Sequence, residues 1–117
     1  CNQLIVGQTI IAVSEAFIMA DKFKTNKNKI REALLGGFAN SKILEIHGKR
    51  MLTNDYKPGF KTKLHAKDMR IVKKITKRKN INLAGTNIVY KYMQIANKKG
   101  HAEKDSSAYY LTLKNKK

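Results

Sequence analysis

The chain has 117 residues, enough for one domain and too few for two. It is 42% hydrophobic and 28% charged, with one proline and seven glycines, which excludes a disordered or collagen-like chain. Lys and Arg number 25 against 8 Asp and Glu, a formal charge of +17, and the single cysteine, Cys1, excludes an internal disulfide framework or a four-cysteine zinc site.

Residues 4–20, LIVGQTIIAVSEAFIMA, are nearly all apolar. The run is shorter than the roughly 20 residues of a membrane span, and Gln8 and Glu15 interrupt it. Gln8, Glu15 and Lys22 recur every seven residues, about two helical turns, and so fall on one line. The expectation is a helix buried on most of its circumference with one narrow polar stripe, at the centre of a helical domain or a subunit interface. No basic segment precedes the run and no small-residue cleavage site follows it, which argues against a signal peptide. The chain opens on Cys inside this pattern, without a cap, and is expected to be a segment of a longer protein.

Residues 21–29 form a polar turn in which Thr25 or Asn26 can cap a second helix through about Leu35. Gly36-Gly37 stops it. A third helix runs from about Ser41 to Met51, with Ile43, Leu44, His47 and Met51 inward. The loop TNDYKPGF carries Pro58-Gly59, a turn signal. A fourth helix spans Thr62 to Arg78. Its spacing puts Leu64, Ile71, Val72 and Ile75 on one face, taken as the inner one, and Arg70, Lys73, Lys74 and Lys77 opposite. Asp68 falls in the middle of that apolar face, flanked by Lys67. A carboxylate there needs a partner. It is either a structural ion pair or helix contact, or part of a site.

Residues 79–87 connect to a fifth helix, about Thr86 to Lys98, with Ile88, Tyr92, Met93, Ile95 and Ala96 on its apolar side and Lys99-Gly100 at its end. Asp105 or Ser106 can cap a last helix from Ser107 to Leu113, and the tail 114–117, KNKK, is expected to fray. No segment alternates with period two, so the fold class is all-α. His47, His65, His101 and Cys1 lack metal-ligand spacing. There is no Gly-rich phosphate loop, nucleophile elbow or paired-carboxylate site. His65 reads as a packing or hydrogen-bonding residue, and His47 as core-facing and neutral.

The charge is lopsided. Residues 57–117 carry a net +14 and residues 1–56 a net +3. A basic stripe is the footprint of a nucleic-acid binder. Strand recognition, however, favours Arg forks and interleaved aromatics. Here 21 of the basic residues are Lys, accompanied by ten Asn and twelve Ile, a compositional bias. The pairs Tyr90/Tyr92 and Tyr109/Tyr110 lie outside the Lys-rich run 73–79. The stripe is therefore read as a solvated face; a basic nucleic-acid-binding module, or an inactive gene remnant, is the rival of another class.

Three stretches together carry a resemblance. REALLGGFANSKILEIHGKRM at 31–51, KPGFKTKLHAKDM at 57–69 and CNQLIVGQTIIAVSEAF at 1–17 resemble, in order, the C-terminal domain of the β-hydroxyacid dehydrogenases. The Leu-His-x-Lys-Asp form at 64–68, with Gly-Gly-Phe-Ala at 36–39, is most similar to the tartronate semialdehyde (2-hydroxy-3-oxopropionate) reductases within that family. The resemblance implies a helical domain of the 6-phosphogluconate dehydrogenase C-terminal-like type, with about six helices and a long, buried first helix. It implies an N-terminal Rossmann domain outside residues 1–117, with NAD(P)H bound mainly by that domain. It also implies a general-acid lysine three positions before Asn2. Asn2 and Gln3 would hold the substrate, Phe60 and Asp68 would line its pocket, and Lys67 would contact the cofactor. Lys67 and Asp68 would then point into a cleft completed by the other domain. The implied reaction moves a hydride to the aldehyde carbon of tartronate semialdehyde and a proton to its oxygen, giving glycerate. A 3-hydroxyisobutyrate or succinic semialdehyde dehydrogenase is the alternative. Homodimers or homotetramers in the cytoplasm are expected, with no membrane or nucleic-acid partner, and the isolated segment is expected to be inactive. Asp105-Ser106-Ser107-Ala108 resembles the family's Asp-His-Ser-Ala cap, with Ser at the His position.

Overall fold

Asn26 and Ser41 start two helices by the same device: a side-chain oxygen accepts a backbone N–H of the first turn. Asn26 Oδ1 accepts from Asn28 and Lys29, and Ser41 Oγ from Leu44. In the computed structural model, which describes residues 1–115, six α-helices follow in order. They are α1 (Asn2–Lys22), α2 (Lys27–Leu35), α3 (Lys42–Thr53), α4 (Thr62–Arg78), α5 (Ala84–Ala96) and α6 (Tyr109–Lys114). A π-helical turn (Asn97–His101) and a 3-10 turn (Ser106–Ala108) join α5 to α6. Gly100, at φ +83°, takes the left-handed conformation that lets the chain leave the π turn. Asp105 caps the 3-10 turn by accepting from the Ser107 N–H at 3.0 Å. Among the described residues there is no strand, only an isolated bridge between Lys61 and Asp105. The last two residues of the tail expected to fray, Lys116 and Lys117, lie outside the described residues.

α1 is the central element, packed against all five other helices. It is 21 residues long and apolar enough to cross a membrane, longer than the run at 4–20 indicated. Its apolar side chains instead enter the core. Ile10 and Phe17 are fully buried, and Phe17 meets Tyr110 of α6 edge-on with ring centroids 6.4 Å apart. Burial of such a side chain contributes about 1.5–3 kcal/mol. The burial covers one broad side and not most of the circumference: Ile5 and Met19 are exposed. The corner between α1 and α2 is closed by ions. Asp21 pairs with Lys27 at 2.7 Å and accepts from Tyr110 Oη at 3.2 Å.

α4 overturns one expectation. Its buried residues are Thr62, His65, Ala66 and Met69, whereas Leu64, Ile71 and Ile75 are exposed. Neighbours satisfy the polar groups of the true inner face, and this permits their burial. Thr62 donates to the Lys104 carbonyl at 3.1 Å, and His65 lies 2.9 Å from the Gln3 carbonyl. In α5, Met93 and Ala96 are buried as expected, together with Thr86 and Val89, whereas Ile88 is exposed. In α3, Leu44 and Met51 are buried as expected, with Gly48 between them.

Candidate functional site

The first turn of α1 meets the first half of α4, and His65 makes the junction. A carbonyl only accepts, so His65 Nε2 carries the hydrogen of its 2.9 Å bond to Gln3 O. Burial holds the imidazole below its ordinary pKa, so the ring is neutral near pH 7; the bond to Gln3 and the charges of Asp68 and Asp105 only partly oppose this. The tie places the Gln3 side chain over Asp68. Gln3 Nε2 donates to Asp68 Oδ2 at 2.9 Å, and Asn2 Nδ2 donates to Gln3 Oε1 at 2.8 Å. Lys67 Nζ stands 3.5 Å from the other oxygen, Asp68 Oδ1. Helical geometry explains the pairing, since successive residues point about 100° apart and bracket one edge of α4.

Phe60 enters from the loop before α4. Its ring packs edge-on against His65, centroids 5.8 Å apart, on the same side of the molecule. That loop is fixed from 45 residues away. The buried Asp105 carboxylate accepts the backbone N–H groups of Gly59 and Phe60, each at 3.1 Å through Oδ2. Its Oδ1 accepts from Ser107 Oγ at 2.6 Å and lies 3.8 Å from His47 Nε2, and Arg50 stands 3.6 Å from Oδ2. Burial raises the carboxyl pKa, but the bonds from Ser107 and Phe60 and the charge of His47 outweigh it, and the net shift is downward. Arg50 also donates to the Lys57 carbonyl, holding the other end of the loop.

The five residues singled out in the sequence thus converge. Gln3, Lys67 and Asp68 are joined by hydrogen bond and ion pair, Asn2 reaches them through Gln3, and Phe60 is joined through His65. The face is open: the Lys67 side chain is 58% exposed and Asp68 27%. The arrangement offers amide and ammonium donors, a carboxylate acceptor and an aromatic wall, a set that suits a small hydroxy or oxo acid. Reading the sequence missed the reach of Asp105. Its local signal is a helix cap, and nothing local indicates Gly59 and Phe60 as further partners.

Leu64, Ile71 and Ile75 lie along α4 on the Asp68 side and are exposed. They continue the site as an apolar strip.

Comparison with known proteins places the chain in a family. The chain is 39% identical over 112 residues to the 2-hydroxy-3-oxopropionate reductase of Escherichia coli K12, covering 96% of this chain and 38% of that protein. It is 30% identical over 113 residues to a probable 3-hydroxyisobutyrate dehydrogenase-like protein, mitochondrial, of Arabidopsis thaliana, covering 96% of this chain and 33% of that one. The chain therefore spans less than two fifths of the length of these curated relatives. Its fold matches the crystal structure of 3-hydroxyisobutyrate dehydrogenase from Salmonella typhimurium with a TM-score of 0.89, at 22% identity, over 94% of this chain and 39% of that one. Residues 1–113 match the family model described as NAD-binding of NADP-dependent 3-hydroxyisobutyrate dehydrogenase. With nearly the whole chain matched, it belongs to the NAD-binding family of 3-hydroxyisobutyrate dehydrogenases, as a helical domain.

Proposed function

We propose that the chain forms the substrate-side wall of an NAD(P)-dependent oxidoreductase that reduces tartronate semialdehyde to glycerate. The observation that carries the reading is the linked set of Gln3, Asp68 and Lys67 on one open face, held in place by the neutral His65. The substrate assignment is supported by the 39% identity to a reductase named for that compound.

In this reading Asp68 accepts a hydrogen bond from the substrate hydroxyl. The Gln3 amide, oriented by Asp68 and Asn2, holds the substrate's oxygen atoms and so fixes the approach geometry. Phe60 walls the reacting carbon from water. The Lys67 ammonium is more than half exposed and engages only one oxygen of Asp68, so it keeps donors free for the cofactor. The cationic, outward-facing end of Lys67 fits a nicotinamide dinucleotide, which when bound supplies the hydride. Residues 1–117 contain no Gly-rich dinucleotide fingerprint. The proposal therefore assigns the dinucleotide fold, and the lysine that protonates the developing alkoxide, to an N-terminal Rossmann domain of the same enzyme. The exposed strip of Leu64, Ile71 and Ile75 supports such a covering element, and a homodimeric or homotetrameric assembly in the cytoplasm is part of the proposal.

The test is kinetic, in the full-length enzyme. Asp68→Ala is expected to lower kcat/KM for the aldehyde by about 10- to 100-fold, since it removes a charged hydrogen-bond acceptor at the substrate. Lys67→Ala is expected to raise the KM for NAD(P)H and leave that for the aldehyde near wild type. Unchanged kinetics in both variants would sink the assignment. A preference for 3-hydroxyisobutyrate or succinic semialdehyde would keep the site and replace the substrate.

A further inference from the structure

α4 carries a second, unassigned feature on its other flank. Arg70, Lys73, Lys74 and Lys77 leave the helix over seven residues, about 10 Å of axis. In isolation this is a solvated basic stripe. In the structure it is one wall of a groove of about 430 Å³. The facing wall is built by Asn80 and Asn82 of the connector and by Asn87 and Tyr90 of α5. No carboxylate lines the groove. Among the described residues none of the four cations takes part in an ion pair, although Lys27, Lys42, Arg50, Lys61, Lys63 and Lys67 all do.

The walls are already fixed to one another. Lys73 Nζ donates to Asn87 Oδ1 at 2.7 Å and stands 5.4 Å from the Tyr90 ring centroid. Asn87 Nδ2 in turn donates to Asn82 Oδ1 at 3.1 Å. Like charges three and four residues apart on a helix repel, so this row of cations is electrostatically unfavourable by itself. A multiply charged anion relieves that repulsion, and ammonium and guanidinium donors make short, charge-assisted bonds to phosphate oxygens. The volume falls in the range of small-ligand sites. A concavity of this size, with cations along one side and amides along the other, suits a compact ligand better than a long polymer, which would lie on a flat stripe.

We propose that the groove between the second half of α4 and the start of α5 binds a small oligophosphate, a ligand presenting two or three linked phosphate groups. The site is distinct from the Asp68 face, which lies on the opposite flank of α4, and does not depend on the reductase reading.

Inorganic tripolyphosphate is the probe, titrated calorimetrically into the 117-residue chain at about 150 mM salt, where long-range attraction is screened. The groove variant Arg70→Gln/Lys73→Gln/Lys74→Gln/Lys77→Gln is compared with a variant of equal charge outside it, Lys22→Gln/Lys24→Gln/Lys57→Gln/Lys98→Gln. One molecule bound per chain is expected, weakened about tenfold or more in the groove variant and about twofold or less in the control. Circular dichroism checks that both variants keep their helix content, since Lys73 also ties α4 to α5 through Asn87. No binding at that salt, or equal losses in the two variants, overturns the proposal. So does groove-dependent binding of a single-stranded oligonucleotide with tripolyphosphate held no tighter than sulfate.

Discussion

His65 links the candidate site to the core, and its protonation state sets the strength of that link. Its ring sits among Phe60, Tyr109 and the Gln3 carbonyl, with Nδ1 buried and lacking a partner. His47 and His101 are also held below the usual histidine pKa, chiefly by burial. All three shifts have one sign. Between the lowered folded value and the ordinary 6.5, the unfolded chain binds more protons than the folded one. The contribution of the neutral rings is therefore complete above about pH 6.5 and is lost as pH falls through the folded pKa values. The thermal midpoint is expected to be flat between about pH 7 and 8 and to fall toward about pH 5. His65→Gln should lower the midpoint at neutral pH and flatten the acid slope; a midpoint that rises on acidification would contradict the neutral-ring account. The identity of His65 as a structural residue was legible in the sequence. Its partner was not, because a bond between residues 3 and 65 leaves no local signature.

At the scale of the elements, the close approach of α1 to α5 decides how the site end of the molecule packs. Gly7 makes that approach: a Cβ there would lie 2.7 Å from Val89 Cγ1 and 3.1 Å from Met93 Cε. Gly7→Ala is expected to destabilise the fold by about 1–3 kcal/mol through overpacking, a loss that exceeds the helix-propensity gain of alanine. Gly37→Ala is the matched control, since nothing lies within 4 Å of its added Cβ. It should be neutral or stabilising by about 0.4–1 kcal/mol, through the unfolded state. Denaturant midpoints of the two variants distinguish them, and equal shifts would refute the packing argument. The start of α2 could be read in advance, because capping is a bond between residues two or three apart. The inner face of α4 could not. Its sequence offers two stripes, and the more hydrophobic one is exposed because Gln3, Lys104 and Asp105 satisfy the polar groups of the other.

For the whole molecule, α1 and the five helices packed on it make a core that closes within residues 1–115, while the Asp68 face remains open. The expected outcome is separable folding and chemistry. Under the proposed function, the 117-residue chain should melt cooperatively yet oxidise no NAD(P)H with tartronate semialdehyde, and activity should appear in a chain that also carries the proposed N-terminal Rossmann domain. Turnover by the 117-residue chain alone would refute the division of labour. What the sequence determined by itself was the all-helical class, the order of the helices and the caps at Asn26 and Asp105; its resemblance to a family nominated the residues of the candidate site. These rest on bonds and periodicities within a few residues, or on motifs read in line. Tertiary structure decided which face of α4 is covered, that Asp105 anchors the loop at Gly59 and Phe60, and that four lysine and arginine side chains share a groove with three asparagines. Helical periodicity fixes which side chains lie together, but burial and pairing depend on neighbours that only the fold brings into contact.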